Sequence, residues 1–283
     1  MNEGSRLVNV YEKIITLAQN YCRENYAFWI DKYQKERTGN DFLYTYTDEY
    51  YNLFPRYIKL SAISRGVDLL VGKKYRSFNL CQQSLLCAAD FRDSFADNPT
   101  NDIQKMAMED EKQKYRDFIL SHNENDLLDM EVKRIKYKRL LTEYESKKVR
   151  KTLSEKWGYD GYWYPIREDD IPANVLFLMT EYVLPFEQNI TDAIKGISLS
   201  KYYAIDECRD DYKHSIENFN LALYQGSETL CCDDTFEWVV YGSHEGTVSF
   251  GGDKLLPQIR ELLKNYKNKF NLFEWLYVRR VKH

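Results

Sequence analysis

The sequence predicts an α+β fold: a helical amino-terminal region, then a carboxy-terminal antiparallel sheet flanked by helices. Three observations carry this. Apolar side chains in the first half recur at helical spacing, which lines them up along one stripe of a helix. After Trp157 glycine and proline return, and the apolar pattern shortens to alternating or continuous runs of strand length. Within that second region Trp238 to Gly252 reads WVVYGSHEGTVSFGG, two apolar arms around a short polar turn, the pattern of a β-hairpin. The change of texture divides residues 1–156 from 157–283. The two regions either stand apart or share one core, because the stripe of the first helix needs a partner.

Leu7, Val10, Ile14, Leu17, Tyr21 and Phe28 mark the first helix, and Gly39, Asn40 and Asp41 break it. Pro55, after Asn52 to Phe54, marks a second boundary. Ile58 to Val71 and Leu80 to Phe95 read as buried helices. Asn98 and Pro99 stop the chain, with Thr100 or Asn101 as the next N-cap. From Asp102 to Lys156 two long helices follow, broken near Ser121 to Asn125. Residues 90–131 hold twelve acidic and five basic side chains; residues 132–156 hold three acidic and ten basic. Opposite neighbours of this kind predict an antiparallel helical hairpin whose polar faces attract. Each surface pair adds only ~0.2–1 kcal/mol, so such pairs select register more than they stabilise.

In the second region Tyr162 to Ile166, Val175 to Thr180 and Tyr202 to Ile205 are candidate strands, and Ile216 to Tyr224 is ambiguous. Phe186 to Ile197 reads as a helix. In the hairpin, Phe236, Trp238 and Val240 share one face, and Val239 and Tyr241 the other. Val248 and Phe250 alternate with Thr247 and Ser249, which predicts an amphipathic second strand. Gly251 and Gly252 end it. A helix follows on Leu255, Ile259, Leu262 and Tyr266, with Pro257 in its first turn, where a missing N–H costs little. Phe273 to Val281 reads as a closing helix.

Composition narrows the function classes. A hydrophobic content of 43% over 283 residues supports a folded core. The 24 tyrosines suit half-buried core edges and interfaces alike. A net charge of −4 carries no overall nucleic-acid signature. No secretory signal opens the sequence, and its apolar runs are too short to span a bilayer. The six cysteines show neither CxxC nor a disulfide-framework spacing, which points to reduced thiols in a cytoplasm. No cofactor motif survives inspection. Gly66 to Lys74, GVDLLVGKK, imitates a phosphate-binding loop but has five residues between its glycines and an apolar interior suited to a packed helix.

Ser243, His244 and Glu245 place a nucleophile, a base and a carboxylate side by side at the hairpin tip. Neighbours on a tight turn usually diverge, and GSHEG is not the GxSxG of a nucleophile elbow. A recognition or turn-stabilising role therefore ranks above catalysis. Cys231, Cys232 and His244, with Asp233 and His214 as helpers, are the right types for zinc but lack a standard ligand spacing. The basic segment with Lys147, Lys148, Arg150 and Lys151 fits a phosphate backbone less well than a solvated helix. Asp206 to Asp234 holds eight acidic and two basic residues, suited either to steering a basic partner or to a solvated loop. Glu168, Asp169 and Asp170 beside Tyr162, Trp163 and Tyr164 resemble a sugar site in type, but fit a loop and helix cap better.

The run WVVYGSHEGTVSFGG, with YWYPI at Tyr162 to Ile166, resembles the carboxy-terminal region of uncharacterised bacterial proteins and of some polymorphic-toxin immunity proteins. In these an aromatic strand leads into Ser-His-Glu and a glycine-ended strand. The resemblance covers the last third of the chain and implies a cytoplasmic bacterial protein that neutralises a toxin by binding it. The sequence-based expectation is thus a non-enzymatic interaction protein that binds a basic protein through Tyr241, Ser243, His244, Glu245, Asp233 and Asp234. The alternative is a hydrolase or metal-dependent enzyme using Ser243, His244 and Glu245 or the Cys231, Cys232, His244 set.

Overall fold

A computed structural model describes residues 10–37, 47–93, 96–132, 136–161, 163, 173–224 and 226–273. The chain divides into two compact units, Met1–Ile135 and Lys136–His283, each with its own apolar core.

The first unit is helical. Helix α1, Val10–Arg37, buries Ile14, Ile15, Ala18 and Cys22 along one stripe. Helix α2, Asp48–Asp68, starts at an N-cap where the Thr47 side chain accepts from Tyr50 N at 3.1 Å. Pro55 does not end it. The proline is buried inside α2, which packs along α1 and along α4, Asp102–Leu120. That packing offsets the ~3 kcal/mol an interior proline costs a helix. Helix α3, Phe78–Ala88, ends before Asp90, sooner than its apolar run implies. Asn101, not Thr100, caps α4, accepting from Gln104 N at 2.9 Å. A short helix α5, Glu124–Asp129, completes the unit. Gly66 lies in α2, where a Cβ would come within 3.0 Å of Ala88 and Phe91. It is a packing glycine, as the apolar interior of its motif implied.

The two long helices expected from Asp102 to Lys156 are not continuous: α4 ends at Leu120 and only the short α5 follows it in the first unit. Strand β1, Lys138–Leu140, interrupts the helices, and the charges find partners inside their own units. Asp110 and Glu111 of α4 take Arg56 of α2, and Asp90 takes Lys112 and Arg116. Helix α6, Glu143–Trp157, belongs to the second unit, where Arg139 grips Glu145 at 2.7 and 2.8 Å and Arg150 grips Asp211. Charge-assisted, partly bidentate bonds of this kind are the strong ones.

The second unit is built on a seven-stranded antiparallel sheet, order β1-β4-β3-β5-β6-β7-β2. Its further strands are β2, Val175–Met179; β3, Lys201–Asp206; β4, Tyr212–Ser215; β5, Thr229–Asp233; β6, Val239–Ser243; and β7, Thr247–Gly251. Residues 216–224 form short 3-10 turns rather than a strand. The short helix α7, Thr180–Val183, leads toward α8, Glu187–Ile197; α8 and α9, Leu256–Leu262, supply Ile190, Ile194, Leu256 and Ile259 to one face, against Tyr202, Trp238, Val240 and Phe250. On the other, Val149 and Leu153 of α6 pack on Ile205, Leu230, Val239 and Tyr241.

Cover on both faces overturns the expectation of a half-solvated second hairpin strand. Thr247 and Ser249 are as buried as Val248 and Phe250. Gly251 shows why glycine ends that strand: a Cβ there would lie 2.7 Å from the Trp157 ring and from Val239. Phe236 leaves the expected face because it sits in a turn at φ 54 and stacks on Tyr203. The free edge of β2 is closed by Asn271, whose N–H donates to Phe177 O at 3.0 Å while its Oδ1 accepts from Phe177 N at 2.9 Å. This protects a strand edge that would otherwise invite pairing. Leu7, Gly39 to Asp41, residues 274–281 of the expected closing helix, Glu168 to Asp170, and all of Tyr162 to Ile166 except Trp163 lie outside the described residues.

Candidate functional site at the hairpin tip

Strand register assembles this corner. Thr229 of β5 pairs with Gly242 of β6 and with Asp206 of β3. The residues just past those positions, Glu207 and Glu228, therefore fall side by side, and Glu207 N donates to Glu228 O at 3.1 Å. Glu228 N in turn donates to Gly242 O at 3.0 Å. The β6–β7 turn closes over them through Gly246, at φ 73, whose N–H donates to Ser243 O at 3.1 Å. A glycine is needed there because the left-handed conformation penalises a side chain.

The Glu228 carboxylate is the hub. It accepts from the Tyr241 hydroxyl, from His244 N and from His244 Nδ1, and Ser243 Oγ lies 3.4 Å away. An ionised carboxylate only accepts, so Nδ1 of His244 carries the hydrogen. Glu207 accepts from the same Tyr241 hydroxyl. His244 Nε2 faces Glu245 at 3.6 Å and the ring is largely solvent-exposed. Tyr241 is 1% exposed, its ring meeting the edge of Trp163.

The two carboxyls are driven apart electrostatically. Burial opposes ionisation of Glu228, but donors from Tyr241 and His244 outweigh it and hold its carboxyl below the ordinary glutamate range. Burial raises Glu207, and the neighbouring Glu228 charge raises it further, so it sits above that range despite the Tyr241 donor. Burial first, then both carboxylates, push the Tyr241 phenol far up. Among the described residues neither glutamate forms an ion pair with Lys or Arg. The buried Glu111 and Asp211, by contrast, are matched by Arg56 and Arg150.

The expected site residues separate into two groups. Tyr241, Ser243, His244 and Glu245 come together here. Ser243 is buried, and its Oγ accepts from Glu245 N at 3.2 Å instead of resting on His244 Nε2, so the adjacent Ser-His-Glu do not converge as a triad. Asp233 and Asp234 lie at the opposite end of β5, about 13 Å away at strand rise. Asp233 is buried and accepts from Leu199 N and Thr235 N, both at 2.9 Å; Asp234 binds Lys213 at 2.7 Å. Both organise structure. Cys231 and Cys232 point to opposite faces of the sheet, one in each core layer, so they share no ion with each other or with exposed His244. Among the described residues no group of three His, Cys, Asp or Glu is placed to hold a metal. His214 is half-buried and stacked on Tyr202; burial and then Lys138 lower it to about 4. Arg150 is committed to Asp211, which removes it from any phosphate-binding row on α6.

A cavity of about 300 Å³ lined by Asn174, Asp253, Leu256 and Arg260 lies at the far end of β7 from the tip. Glu207 and Glu228 had no local sequence signal. They stand 21 positions apart and meet only through the pairing of three strands. Comparison with protein-family models, curated proteins and solved structures finds no match to this chain.

Proposed function

We propose that this is a non-enzymatic interaction protein whose hairpin tip recognises a basic group on a protein partner. The supporting observation is the pair Glu207 and Glu228, held together by Tyr241 without a Lys or Arg counter-charge among the described residues. Like carboxylates so placed repel, and an incoming ammonium or guanidinium relieves that repulsion while taking short charge-assisted bonds. Exposed His244 and half-buried Glu245 form the rim of the surface, where charge steers encounter. The free state of all six cysteines, four of them buried, suits a reducing cytoplasm. No described helix is long and apolar enough to cross a membrane. Neutralisation of a toxin, which the sequence resemblance implies, is one role such a binder fills.

The test is affinity for the captured partner, measured with purified proteins. Glu228→Gln is expected to weaken binding at least tenfold, about 1.4 kcal/mol, with the fold unchanged by circular dichroism. Unchanged affinity removes the tip from the interface. One observation favours a second, hydrolytic reading: Glu228 orients His244 through Nδ1, as a carboxylate orients a catalytic base. Turnover of ester or amide substrates that His244→Ala abolishes is the result that selects it.

A further inference from the structure

We propose that the tip is a proton-operated latch. One proton shared by the Glu207 and Glu228 carboxyls ties the β3–β4 turn, the residue before β5 and the β6–β7 turn together. Its release to solvent leaves two adjacent carboxylates open to an external cation. The cation half of this statement rests on the recognition role above; the shared proton does not.

Tyr241 has one hydroxyl proton, and two carboxyls lie on it. The backbone holds the two glutamates side by side, Glu207 N donating to Glu228 O at 3.1 Å, so both carboxyls are kept on that one hydroxyl. Two ionised carboxylates in that position repel, and a proton between them converts repulsion into a bond. The geometry also orders the pair. The two donors of His244 both serve Glu228, so Glu228 holds the negative charge. Glu207 has the Tyr241 hydroxyl but no donor from His244, so it holds the proton. The opposite directions in which the two carboxyls are shifted agree with this order.

Other charged groups surround the pair. Asp206 is occupied by Thr229 and by the amides of Cys208 and Arg209 in the β3–β4 turn, which Asp210 and Asp211 complete. From α6 comes Arg150, held by Asp211, and just beyond it Tyr159, whose phenol is raised by burial and feels the Glu207 charge. Glu245 faces His244 on the solvent side. A cation that settles between the glutamates favours their ionised forms and expels the shared proton. By linkage its affinity rises with pH through the titration of Glu207.

The experiment is a carbon-detected NMR titration of the glutamate carboxyl carbons in the full chain, with Glu207→Gln and Glu228→Gln also serving as assignments. The expected result is that Glu207 titrates above the ordinary range and that its carbon also reports the Glu228 step. Glu228→Gln moves the Glu207 midpoint down, and Tyr241→Phe, which removes the donor, moves it up. Two independent single-step curves, with Glu207 unmoved by Glu228→Gln, overturn the latch. If Glu228→Gln fails to fold, the wild-type curve shape and Tyr241→Phe decide. The cation half is read with a hexa-arginine peptide at constant ionic strength. Affinity that rises with pH supports it, and pH-independent affinity overturns it. Absence of binding beside a coupled titration defeats the recognition role and leaves the shared proton standing.

Discussion

At Glu228 the backbone adopts φ 53, a left-handed conformation that costs an L residue roughly 1–2 kcal/mol. The Glu228 side chain offsets this through Tyr241 and both donors of His244. The two effects are separable. Glu228→Ala loses the contacts and keeps the strain, whereas Glu228→Gly loses the contacts and relieves the strain. Urea unfolding is expected to find the glycine variant more stable than the alanine one by about 1 kcal/mol; equal stability contradicts the strain. Arg150→Ala leaves Asp211 buried without its guanidinium, an expected loss of about 3–5 kcal/mol by the same measurement. At this scale the sequence was informative where the signal is local. Ser243 to Glu245 are visible because a polar turn interrupts two apolar arms, while their carboxylate partners come from strand pairing that no spacing encodes.

At the scale of elements, periodicity identified most helices and the hairpin, because each buries a regular stripe. The misreadings have a common origin in long-range packing. Pro55 reads locally as a stop, yet α2 runs through it against α1 and α4. Thr247 and Ser249 read as solvent-facing, yet both are buried, because the sheet carries a core layer on each face. The opposite charge blocks read as a helical hairpin, yet charges of each find partners within one unit. The contact between α6 and the sheet is close enough to test by one methyl group. Gly251→Ala drives a Cβ into the Trp157 ring and Val239, and overpacking of this kind costs about 1–3 kcal/mol. A variant that unfolds at the wild-type urea midpoint contradicts the packing of Trp157 on that strand.

For the whole molecule, the separate cores of Met1–Ile135 and Lys136–His283 predict that residues 136–283 expressed alone unfold cooperatively and keep near-ultraviolet circular dichroism from their buried Trp238 and Tyr241. A molten fragment contradicts that independence. The texture change at Trp157 gave the α+β class from sequence but placed the division after α6, because a helix declares its periodicity and not the core it joins. The proposed role of the Glu207–Glu228 corner is to receive a basic partner. The most direct measurement is parallel affinity capture from native lysate at low and moderate salt. It compares the wild-type chain with the Glu207→Gln, Glu228→Gln double variant, quantified by mass spectrometry after both are shown to be folded. One stoichiometric protein with a basic contact surface is expected on the wild type and lost from the double variant. The same protein held equally by both chains contradicts it.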